Sequence, residues 1–93
     1  MELVCSKKLE VNEAIECENK ELNLEYYLVA LEAENSCTYG IQINMTKETG
    51  ESETAVIHDV LSSRTSMIEL IKLLHSNSVT PISAYDVIYD CIA

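Results

Sequence analysis

Residues Cys37 to Thr46 alternate without a lapse. Tyr39, Ile41, Ile43 and Met45 fall on one side, and Gly40, Gln42, Asn44 and Thr46 on the other. Strand side chains switch faces at every residue, so this stretch predicts a half-buried β-strand with one wet face. Period-two sequence lies on both sides of it, as far as Leu61. After Ser62 the apolar residues recur at helical spacing instead. A chain that changes period once in this way lays down strands first and helices second, an α+β order.

The first strand reads from its odd positions. Leu3, Cys5, Leu9, Val11, Ile15 and Cys17 are apolar, with Lys7 and Glu13 as lapses that suggest a bulge or bend near either. Glu18-Asn19-Lys20-Glu21 is a polar break and a candidate hairpin turn. Leu22 to Ala33 follows, apolar on both faces around Tyr26-Tyr27-Leu28-Val29, which predicts a central strand covered on more than one side. Glu34-Asn35-Ser36 is the next turn. Lys47 to Glu51 is the clearest turn, because Gly50 supplies the positive φ that a hairpin loop needs. Ser52 to Leu61 returns as a strand with Ala55-Val56-Ile57 as its buried part.

The helices have their own signals. Ser62 and Ser63 are N-cap candidates, and Ser66 with Glu69 is a capping-box option. Met67, Leu70, Ile71 and Leu74 fill an arc of about 100° on the first helix. Ser76-Asn77-Ser78 ends it, and Val79-Thr80-Pro81 is an extended connector. Ser83 caps a last helix that buries Ala84, Val87, Ile88, Cys91 and Ile92. The expected architecture is one domain over residues 1–93. It is an α+β fold, a four-stranded antiparallel β-meander followed by two C-terminal α-helices packed on one face. The strands run over about 3–17, 22–33, 37–46 and 52–61, and the helices over about 63–76 and 83–92. A chain this short buries about 60–70% of its unfolded surface and has room for one core.

Charge limits the partners. Sixteen acidic residues against six basic ones give a net charge of −10. Such a surface repels phosphate backbones and anionic membranes, so neither nucleic acid nor membrane is expected as a partner. The start, Met1-Glu2-Leu3-Val4-Cys5-Ser6-Lys7-Lys8, is not ordered as a signal peptide, and no apolar run approaches the length of a membrane span. A cytoplasmic protein is the expectation. Cys5, Cys17, Cys37 and Cys91 lack metal or redox spacing and read as reduced, small hydrophobic residues.

No stretch commits to a reaction or a cofactor, and whether the chain is an enzyme stays open. His58 and His75 have no H-x-x-x-H spacing. The glutamates at 10, 13, 16, 18, 21 and 25 lack the glycine and the Asp/Asn alternation of a calcium loop. They read as a solvated acidic edge. Two glycines leave no phosphate-cradling loop. The helices are greasier than one sheet face requires. Ile68 and Leu73 flank the first apolar arc, and Tyr85 and Tyr89 widen the second to about 200°. These four residues are the candidate interface of a non-catalytic domain that contacts protein, with a homodimer as its simplest form. The alternative is a small-molecule module or minor enzyme, with a pocket between sheet and helices lined by Tyr and His.

Tyr26-Tyr27, Tyr39-Gly40-Ile41-Gln42-Ile43, Val79-Thr80-Pro81 and Asp86-Val87-Ile88-Tyr89-Asp90 together resemble a domain-of-unknown-function family of small uncharacterised proteins from anaerobic Gram-positive bacteria. The resemblance spans roughly residues 24–93. It implies a compact bacterial cytoplasmic domain and brings no catalytic residues with it.

Overall fold

The computed structural model describes residues 2–13 and 18–92. Strands β1 (Glu2–Glu13), β2 (Glu18–Ala33), β3 (Ser36–Lys47) and β4 (Ser52–Leu61) precede helices α1 (Arg64–Ser76) and α2 (Ala84–Ile92). The strands form one antiparallel sheet in the order β1-β2-β3-β4. The expected meander with two trailing helices is the observed architecture.

Alternation decides which side chains the helices cover. Leu24, Tyr26 and Leu28 of β2, Ile41, Ile43 and Met45 of β3 and Ile57 of β4 are buried with Met67, Leu70, Ile71 and Leu74 of α1. Val79, Ala84 and Ile88 complete this core. Register aligns the face in rows, for instance Cys5–Tyr26–Ile43–Ala55 across all four strands. Burial of this one apolar face is what holds the two layers together.

Lys7 breaks the sequence pattern without breaking the strand. It pairs with Leu24 on the helix face, and its ammonium donates to the His75 carbonyl at 3.0 Å, at the end of α1. A cation there satisfies a terminal carbonyl and complements the helix dipole. The β1 irregularity lies elsewhere, between Leu3 and Cys5, where Val4 is the extra residue. Arg64 meets Glu2 at 2.6 Å near the other end of α1, so the helix runs alongside β1 and is tied at both ends. Ser63 caps α1, its hydroxyl accepting from the Ser66 amide. Ser83 holds the corresponding place before α2, yet its hydroxyl turns back to the Thr80 carbonyl.

Three expectations change. Glu18 to Glu21 is not a turn: these residues pair in register with Glu10 to Glu13, and the segment expected as strand over 14–17 lies outside the described residues. Backbone pairing wins here over polar composition, although it sets Glu10 opposite Glu21 and Glu13 opposite Glu18. β3 ends at Lys47, opposite Leu22, so this acidic part of β1–β2 continues as a two-stranded ribbon. Secondly, β2 is covered on one side only, since both helices share a face and no described element lies on the other. Thirdly, Cys91 is exposed although its helical phase matches the buried arc. Its place in the final turn carries it past the core.

β4 carries a bulge that the sequence pattern does not announce. Tyr39 pairs with Leu61 and Ile41 with Ile57, so three residues, His58 to Val60, stand opposite Gly40 alone. Asp59 takes a left-handed φ of 58° within it. A methyl group on Gly40 would overlap the Ile57 carbonyl oxygen and come within 2.9 Å of the His58 Cα, both backbone atoms that cannot step aside. Gly40→Ala should therefore cost about 2 kcal/mol or more, read from the urea midpoint, whereas Gly50→Ala costs only about 1 kcal/mol through its positive φ.

Candidate functional site

Two surfaces and one buried polar junction stand out from the rest of the fold. The junction sits between β1, β2 and the end of α1. Tyr26 is fully buried, and its hydroxyl donates to the Val79 carbonyl at 2.8 Å. Its ring meets His75 edge-on, with centroids 5.7 Å apart. His75 in turn donates through Nε2 to the Ser6 carbonyl at 3.0 Å, because a carbonyl can only accept. Burial pushes the Tyr26 phenol up to about 12 from its ordinary 10.0, with Cys5 adding to the rise. Burial also raises the Cys5 thiol, against a smaller lowering by Lys72. Tyr26, His75 and Lys7 here all join strand to helix layer.

The first surface is the uncovered face of the sheet. Leu3, Tyr27, Val29, Leu31 and Val56 alternate out of the core onto it, and none of its described side chains is fully buried. Register places Leu3, Tyr27, Gln42 and Val56 in one row across all four strands. Leu3 is 51% and Leu31 49% exposed. The next rows are polar: Ser6–Glu25–Asn44–Thr54, then Lys8–Asn23–Thr46–Ser52. The face is thus divided into a largely apolar end, bordered on β4 by the bulge that carries His58 and Asp59, and a polar end. Tyr27 bridges the two, its hydroxyl donating to Glu25 Oε2 at 2.9 Å. That bond to a carboxylate raises the Tyr27 phenol, burial adding less. A groove of about 400 Å³ at the polar end is lined by Ser6, Lys7, Lys8, Asn23, Leu24, Glu25 and Thr46, all from strands.

The second surface is the outer side of α2. Tyr85 and Tyr89 stack at 6.3 Å with their rings 22° apart. The Tyr85 hydroxyl donates to the Val56 carbonyl of edge strand β4 at 3.2 Å. Of the four residues singled out from the sequence, Tyr85, Tyr89 and Leu73 are exposed, while Ile68 is half-buried against the core. His58 lies exposed on the β4 bulge, away from His75 on the α1 side. Cys5 and Cys37 are half-buried, and the Tyr39 phenol is raised chiefly by its hydrogen bond with Cys37. Among the described residues no three of His, Cys, Asp and Glu converge as metal ligands. No described helix is long and apolar enough to cross a membrane. The open sheet face escaped the sequence reading because a strand apolar on both sides looks the same whether its second face is covered or bare.

A two-layer α+β domain with a bare, half-apolar sheet face is thus the class of protein defined here. The chain belongs to a family of unknown function (DUF6514), whose model matches residues 3–93. No curated protein and no solved structure matches it.

Tyr26→Phe should lower stability by about 1–3 kcal/mol, because the Val79 carbonyl loses its donor. The phenol is held protonated in the folded state above its unfolded value. Its contribution is therefore complete below pH 10 and lost as pH rises toward about 12. Denaturant titrations across that window should show the wild type losing stability more steeply than Tyr26→Phe.

Proposed function

We propose that this chain is a small non-catalytic protein-contact domain that pairs with a second copy of itself through the uncovered face of its sheet. The observation that carries the reading is the apolar end of that face, where Leu3, Tyr27, Val29, Leu31 and Val56 lie together, in a chain of net charge −10. Two copies this acidic repel one another over most of their surface, and they meet at least electrostatic cost where charge is sparsest. An apolar centre bordered by a polar rim is also the usual anatomy of an interface. Strand spacing and rise give the apolar end a footprint of roughly 400 Å², the size of a patch that is often functional. A standard interface takes about 800 Å² from each partner, so the polar end must join in. The pair is correspondingly reversible and concentration-dependent. A cytoplasmic setting belongs to this reading, supported by the unpaired Cys5, Cys37 and Cys91. It carries over the bacterial, anaerobic Gram-positive origin that the sequence resemblance implies.

Sedimentation equilibrium over a wide concentration range tests the proposal. Wild type should pass from one chain to two, Leu31→Glu should remain one chain throughout, and a Tyr85→Ser/Tyr89→Ser double variant should pair as wild type does. Pairing lost in the tyrosine variant and kept in Leu31→Glu would move the interface to the helices.

A further inference from the structure

Four side chains at the centre of the open sheet face are ordered by two hydrogen bonds. Tyr27 and Gln42 stand opposite one another in the apolar row, and Glu25 and Asn44 stand opposite one another in the next. Along β2 the Tyr27 hydroxyl donates to Glu25 Oε2 at 2.9 Å, and along β3 Gln42 Nε2 donates to Asn44 Oδ1 at 3.0 Å. Each bond turns its acceptor group in one sense. Glu25 can still accept through Oε1, and Asn44 can still donate through Nδ2. The β2 and β3 halves of this centre are thus complementary to one another, and a second copy turned to exchange them would find a donor over each acceptor.

We infer that the two copies meet with their strands aligned and their strand order reversed, so that Glu25 of each accepts from Asn44 of the other. The inference rests on the sheet-face pairing proposed above and specifies its geometry. Two copies of one sheet meet face to face about a two-fold axis that runs across the strands or along them. An axis across the strands turns one copy end over end. The apolar end then lies on the polar end, or only one end is covered, which falls short of the about 800 Å² that a standard interface takes from each partner. An axis along the strands, between β2 and β3, lays each row on its own reverse. Leu3–Tyr27–Gln42–Val56 then meets Val56–Gln42–Tyr27–Leu3, and apolar covers apolar. Ser6–Glu25–Asn44–Thr54 meets Thr54–Asn44–Glu25–Ser6, which sets each carboxylate against an amide donor. A hydrogen bond to a carboxylate is of the stronger kind, and symmetry forms this one twice. Lys8 falls over Ser52, so neither charged residue of these rows meets its like.

Leu3 and Val56 lie on opposite edge strands, three strand spacings or about 14 Å apart within one chain. An isotope-filtered NOE between them therefore reports the second copy, and the full chain in its paired state should show it. Asn44→Asp should weaken pairing about tenfold or more, because a carboxylate then faces the partner's Glu25 at two places. The double variant Glu25→Gln/Asn44→Asp exchanges donor and acceptor, keeps an acceptor for Tyr27 and for Gln42, and should restore pairing. Sedimentation equilibrium reads both variants, and amide dispersion checks that each is folded. Intermolecular NOEs that join β1 to β1, or a double variant that pairs no better than Asn44→Asp alone, would overturn this arrangement and leave sheet-face pairing standing. Intermolecular NOEs that avoid the sheet face, or a mass of one chain at every concentration, would overturn both.

Discussion

A tyrosine hydroxyl that is buried must find an acceptor, and in this fold Tyr26 finds it in the Val79 carbonyl, fifty-three residues away along the chain. That bond joins the middle of β2 to the short connector between α1 and α2. It fixes where α1 stops and from where α2 sets out. Two further contacts support the same corner: the Lys7 ammonium on the His75 carbonyl and the His75 ring on the Ser6 carbonyl. With Arg64 on Glu2 at the other end, α1 is held along β1. Charged and polar groups thus set the orientation of the helix layer, while the apolar rows beneath supply most of the favourable free energy.

Holding both helices to one face has a consequence for the other. The two described helices share one side of the four strands, and β2 carries apolar residues on each side. Tyr27, Val29 and Leu31 are left outside, with Leu3 and Val56 beside them. Part of the open face is shielded locally, where the β4 bulge brings its backbone against Gly40. What remains is an apolar end that matches the interior in composition but faces water. One feature of α2 is distinct from this: a hydroxyl that occupies an edge-strand carbonyl, one way to blunt a sheet edge.

Much of this was legible in the sequence, and the misses have physical causes. Alternation through Tyr39, Ile41, Ile43 and Met45 defined β3, and the shift to helical spacing at Met67 defined α1. Gly50 marked its turn because its φ of 93° suits glycine. Gly40 gave no such signal. Its role comes from a backbone bulge on the neighbouring strand, which side-chain periodicity does not encode. Lys7 looked like a lapse because its partner lies sixty-eight residues ahead, at the end of α1. The acidic ribbon was misread as a turn since composition favours water, whereas the pairing of β1 with β2 continues through it. Tyr85, Tyr89 and Leu73 are exposed as their helical phase required, and Ile68 turned inward because the core reaches around its shoulder of α1.

The central claim is that the apolar end of the open sheet face contacts a second copy. Isotope-filtered NOE spectroscopy on a mixture of labelled and unlabelled chains tests it at the level of atoms. The claim predicts intermolecular NOEs from Tyr27, Val29 and Leu31, with Leu3 and Val56 joining them as concentration rises. Intermolecular NOEs confined to Leu73, Tyr85 and Tyr89, or none at concentrations where the mass is that of two chains, would contradict it.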